Sequence, residues 1–159
     1  MRVEDFIQQI EQQLKNQDSL YHAVAVAFGL SDTAMWILYL VSEADAGITQ
    51  QELSRQSFFA KQTINTCIAH LARDGLVELV PIPGTRNHKR VCLTSAGQGL
   101  AARTTALVRE AELAAYGRLS EAELQAYLET TRRLTDCLRG EFEKIIQKER
   151  GAASAQTNK

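Results

Sequence analysis

Residues 49–94 read TQQELSRQSFFAKQTINTCIAHLARDGLVELVPIPGTRNHKRVCLT. Thr49-Gln-Gln-Glu52 has the form of a capping box, in which a hydroxyl and a carboxylate satisfy free N–H groups at the start of a short helix. A second helix is predicted over Ala60–Asp74. There Ala60, Ile64, Cys67, Ile68 and Leu71 share one face, while Lys61, Gln62, Asn65, Thr66, His70 and Arg73 lie on or beside the other. Gly75 and a hydrophobic strand, Leu76–Val80, follow. A Pro/Gly turn then leads into the basic run Arg86-Asn-His-Lys-Arg90 and a return strand ending in Leu93-Thr94. Helix, turn, helix and a two-stranded ribbon with a cationic tip is the layout of a winged helix-turn-helix. That layout places one helix in a DNA major groove and a basic loop beside the phosphates.

Outward from this lobe the chain reads as helical. Val3, Phe6, Ile7, Ile10, Leu14, Tyr21, Val24 and Phe28 recur at steps of mostly three and four, which predicts a helix over Val3–Phe28. At about 1.5 Å per residue it is roughly 40 Å long, more than the lobe can cover. Ser31 or Asp32 is placed to cap a core helix, Thr33–Ala44, that is apolar nearly all round. Ser95-Ala-Gly-Gln98 opens a helix expected to reach Tyr116, and Ser120-Glu-Ala-Glu123 caps a last one carrying Leu124, Leu128, Leu134, Leu138, Phe142 and Ile145. The fold class is therefore mainly α with a small β-hairpin wing: a winged helix-turn-helix lobe on a helical dimerisation frame. The expected divisions are an N-terminal dimerisation helix (1–30), the lobe (31–93), C-terminal dimerisation helices (94–150) and a disordered polar tail (151–159). Phe6, Ile10, Leu134, Leu138 and Phe142 are the expected dimer contacts.

The formal charge of −1 on 159 residues hides an asymmetry. Residues 55–90 hold six Lys/Arg against two Asp/Glu, a net +4, which leaves −5 on the remainder. A basic module on an acidic frame confines the attraction for phosphate to one face. No apolar run is long enough for a membrane span and no leader precedes the first helix, so a cytoplasmic protein is expected. Cys67, Cys92 and Cys137 show no C-x-x-C spacing, and neither a metal site nor a cofactor is expected. His22, His70 and His88 stand in unrelated contexts with no nucleophile elbow, and Gly97-x-Gly99 lacks a phosphate loop's third glycine. The chain is expected not to be an enzyme.

Gln62 and Asn65 have the donor–acceptor pair that reads adenine, Lys61 reaches guanine or phosphate, and the Thr63 and Thr66 hydroxyls serve either. His70 extends the same face. Thr49, Gln50, Arg55 and the wing cations His88, Lys89 and Arg90 are expected to hold phosphates of double-stranded DNA.

Lys61-Gln-Thr-Ile-Asn65, Leu71-Ala-Arg-Asp-Gly-Leu-Val77 and Val91-x-Leu-Thr-x-x-Gly97 together resemble the MarR family of bacterial transcription regulators. The resemblance implies a homodimer with interlocked terminal helices and two lobes gripping a pseudo-palindromic operator, most often as a repressor. It implies that Arg86 is the wing arginine entering the minor groove, although Gly84 stands where the family often has an acid. It also implies a small, partly aromatic effector in the crevice between frame and lobe, where Tyr21, His22, Trp36 and Tyr39 are the candidates. Two other functions fit the same residues: a winged-helix adaptor that binds protein instead of DNA, and a regulator that senses oxidants through a cysteine.

Overall fold

A computed structural model describes residues 1–85 and 88–157, for the last six of these the backbone alone. In chain order it comprises α1 (Val3–Ala27), α2 (Asp32–Ser42), β1 (Ile48–Thr49), α3 (Gln50–Gln56), α4 (Lys61–Arg73), β2 (Val77–Pro81), β3 (Lys89–Leu93), α5 (Ser95–Ala102), α6 (Thr105–Tyr116) and α7 (Glu121–Thr157). Two compact units result, Met1–Glu110 and the chain from Ala111 onward.

The first unit is built around α2. Ser31 caps this helix by accepting the Ala34 N–H at 3.2 Å. Its Ile37, Leu38 and Val41 pack with Leu53 of α3, Ile64, Ile68 and Leu71 of α4, and Val77 and Val91 of the sheet. Full burial of such side chains contributes about 1.5–3 kcal/mol each, so this cluster fixes α4 against the core by its apolar stripe. A second cluster, Ala25, Met35 and Val108 with Tyr21, Phe28 and Tyr39 against it, seats the end of α1. The antiparallel sheet runs β1-β3-β2, with Ile48 opposite Val91 and Leu79 opposite Val91 on the other side. The winged-helix class expected from residues 49–94 is what the chain adopts, with β1 as a third strand.

Leu93-Thr94-x-x-Gly97 closes this unit through backbone contacts. Thr94 Oγ1 donates to Gly75 O at 2.6 Å and accepts the Gly97 N–H at 3.1 Å, while Thr94 N–H donates to Leu76 O at 3.1 Å. A Cβ on Gly97 would collide with Leu76 O, so the close approach requires glycine. Thr94 thus caps α5, which opens at Ser95 as expected. The single helix expected from Ser95 to Tyr116 is also two. Thr104 and Thr105 are buried, and their hydroxyls must find acceptors; they take Leu100 O at 2.7 Å and Ala101 O at 3.3 Å at the break between α5 and α6.

In the second unit α7 begins with the expected capping box. Ser120 N–H donates to Glu123 Oε2 at 2.8 Å and Glu123 N–H to Ser120 Oγ at 3.3 Å. The helix continues through residues 151–157, where the polar composition predicts a disordered tail; the alanines there favour helix. Its 37 residues span roughly 55 Å. Leu128, Leu134, Leu138, Phe142, Ile145 and Ile146 all lie exposed along it. Among the described residues no single helix is long and apolar enough to cross a membrane.

Candidate nucleic-acid interface

The interface begins at Thr49. Its hydroxyl accepts the Glu52 N–H at 3.1 Å and donates to Glu52 Oε2 at 2.7 Å, and its N–H donates to the same oxygen at 2.8 Å. These bonds from the Thr49 side chain and then its backbone hold the Glu52 carboxyl below the usual range, with Arg90 and Arg55 adding attraction. The Thr49 side chain is therefore committed to starting α3, while Gln50 is half-buried and Arg55 exposed. Seven residues of α3 and a short connection deliver the chain to α4.

Because Ile64, Ile68 and Leu71 are buried, the opposite surface of α4 faces outward, and Lys61, Gln62, Thr63, Asn65, Thr66 and His70 are all exposed or partly exposed on it. That surface has two flanks. Gln62, Thr63, Thr66, Cys67 and His70 share a crevice of about 480 Å³ with Ser31 and Thr33 at the start of α2 and with Ala60. Lys61 and Asn65 lie outside it. Ser31 and Thr33 carry no mark in the sequence as interface residues; their place follows from how α2 packs on α4.

On the wing, Thr85 N–H closes a turn onto Ile82 O at 3.2 Å, and Ile82 N–H pairs with His88 O at 2.9 Å. His88 and Lys89 are exposed. Arg90 is not simply a free cation: its Nη1 donates to Gly47 O at 2.9 Å in a partly buried bond that ties β3 to the turn before β1. Arg86 lies outside the described residues.

Three of the four effector candidates stand together, with an additional ring beside them. Trp36 lies 5.8 Å from Tyr21 and 5.7 Å from Tyr39 between ring centroids, and 6.3 Å edge-on from Phe58. Phe58, in the connection leading to α4, stacks 4.5 Å from Phe59 and is 81% exposed. The sequence signal for it is an aromatic pair between two amphipathic helices. His22 turns instead to Asp32, its Nδ1 3.0 Å and 3.1 Å from the carboxylate oxygens. Of the cysteines, Cys67 and Cys92 are partly buried and Cys137 is exposed. Burial pushes the Cys67 thiol up, away from the reactive thiolate. Among the expected dimer contacts, Phe6, Leu134, Leu138 and Phe142 are exposed and Ile10 is half-buried.

Residues 28–86 match the model of the MarR family, which bears out the likeness read from the sequence. Solved structures share the fold. A MarR/EmrR family transcriptional regulator from Acinetobacter sp. ADP1 superposes with TM-score 0.67 at 18% identity, over 87% of this chain and 98% of that one. CouR from Rhodococcus jostii RHA1, bound to p-coumaroyl-CoA, gives 0.68 at 18%, over 84% and 94%. A probable transcriptional regulator from Pseudomonas aeruginosa gives 0.59 at 26%, over 84% and 99%. No protein of curated function matches the sequence.

Proposed function

We propose that this chain of the MarR type is a sequence-specific, DNA-binding transcription regulator. In this reading it acts in the cytoplasm as a homodimer on a pseudo-palindromic operator, as a ligand-responsive repressor. The observation that carries it is the uncovered face of α4, where Gln62, Asn65 and two threonines stand exposed on a helix whose apolar stripe is anchored in the core. Exposed Lys89 and His88 on the wing supply contacts to the backbone.

Dimerisation is supported by apolar side chains left uncovered on α1 (Phe6, Ile7, Leu14) and on α7 (Leu134, Leu138, Phe142). A second copy would bury these seams, and two lobes about 34 Å apart would meet successive major grooves. The effector is proposed as a small aromatic molecule bound near Tyr21, Trp36 and Tyr39, since a protein of the same fold holds p-coumaroyl-CoA. The test of the main reading is selection of bound fragments from random DNA. An enriched inverted repeat supports it; recovery indistinguishable from the input library overturns it.

A further inference from the structure

The crevice beside α4 has a chemistry of its own. Its walls carry hydroxyls from Ser31, Thr33, Thr63 and Thr66, an amide from Gln62 and an imidazole from His70, with no Lys, Arg, Asp or Glu among them. The Ser31 oxygen accepts the Ala34 N–H, and a hydroxyl that accepts in this way still carries a proton it can donate. Asp32, between the two residues that α2 and its cap contribute, is drawn to the His22 ring on α1 instead. The walls therefore offer donors and present no carboxylate of their own to an anion.

Gln62, Thr63 and Thr66 belong both to this crevice and to the outward face of α4. A duplex that receives α4 in its groove either fills the space beside them or leaves a gap next to the reading helix. We propose that the crevice seats one sugar–phosphate strand of the bound DNA, with Thr33 and Thr63 donating to phosphate oxygens; this rests on the DNA-binding reading above. Threonine hydroxyls are ordinary phosphate partners. The contact differs in kind from that of the wing, because a neutral donor displaces no condensed counterion. The chain then holds the backbone in two ways, one that salt weakens and one that it does not.

The test is Thr33→Val, which keeps the side chain's shape and removes its donor. Affinity is measured on the selected operator and on a random duplex over a range of KCl, with Lys89→Ala alongside. In parallel, alkylation of Cys67, which lines the same crevice, is followed by peptide mass spectrometry with and without saturating DNA. Thr33→Val is expected to lose about fivefold on both duplexes, as for one hydrogen bond, with the wild-type salt slope. Lys89→Ala flattens that slope, and DNA slows Cys67 alkylation in the wild type. Wild-type affinity in Thr33→Val, a loss confined to the operator, or Cys67 alkylation indifferent to DNA each overturns the proposal. Should Thr33→Val not fold, protection of Cys67 alone decides. Wild-type protein that binds neither duplex overturns the DNA-binding reading itself, and this proposal with it.

Discussion

The guanidinium of Arg90 is bonded through Nη1 to the carbonyl oxygen of Gly47, 43 positions earlier in the chain. The bond straps the root of the wing to the turn that launches β1 and α3. Gly47 itself has φ +73, and a Cβ there would press on Cys92 Sγ and Val91 O, so the turn is closely fitted against β3. A cation expected to grip phosphate thus also ties the wing to the turn before α3 and α4.

Arg90→Ala should accordingly destabilise the fold, by about 1–2 kcal/mol for a partly buried, charge-assisted hydrogen bond. Lys89→Ala, one position away and exposed, should leave stability within about 0.5 kcal/mol. Urea unfolding separates the two; equal stability of both variants would show that the strap contributes nothing.

The two glycines of α5 should respond in opposite directions. Gly97→Ala drives a methyl group into Leu76 O and is expected to cost roughly 2–3 kcal/mol. A Cβ added at Gly99 would meet nothing within 4 Å, and the position is helical, so Gly99→Ala should stabilise by about 0.5–1 kcal/mol. Thermal melts of the pair check the sign of each.

Acid should release the capping boxes. The Glu52 carboxyl is held below its ordinary value by Thr49, and Glu123 likewise by Ser120. Each binds its proton less readily folded than unfolded. Its stabilisation is therefore complete above the ordinary glutamate pKa, near about 4.3, and is lost as pH falls through the lowered folded value. Glu52→Gln should reduce stability at pH 7 and make it vary less between about pH 5 and 3 than in the wild type. Melts across that interval measure it.

Within the reading face, Asn65→Ala should lose about 1–3 kcal/mol at defined operator positions if it pairs with a base. Lys89→Ala should weaken every sequence alike. Binding to a set of single-position operator variants distinguishes these patterns, and identical profiles would mean the recognition face is misplaced.

Leu138→Asp and Phe142→Asp should dissociate the proposed dimer, since each would bury a charge without a partner. Sedimentation at micromolar concentration, with helix content followed by circular dichroism, reads the outcome. A folded wild-type monomer under those conditions excludes dimerisation through α7.

Local sequence grammar carries most of the fold. Thr49–Glu52 and Ser120–Glu123 are capping pairs three residues apart, and both form as the spacing predicts. The stripe Ile64, Ile68, Leu71 likewise orients α4 from its periodicity alone. What escapes a local reading is non-local. The partner of Arg90 follows from a strand register, Thr49 opposite Arg90, that no local pattern states. The break at Thr104 is hidden because a threonine bonded to the preceding turn looks like any other helical residue. Ser31 and Thr33 join the face of α4 through the packing of α2, and Phe58 meets Trp36 for the same reason.

Trp36 is the one tryptophan in the chain, and its indole stands among three other rings, from α1, from α2 and from the connection that opens α4. Every photon this protein emits on tryptophan excitation therefore originates where α1, α2 and the connection into α4 meet. A displacement of Phe58 or Tyr21 changes the indole's surroundings directly, so the emission maximum and quenching by iodide or acrylamide report that meeting point with no label attached. The molecule carries its own optical gauge at the contact between α1, α2 and the connection that opens α4.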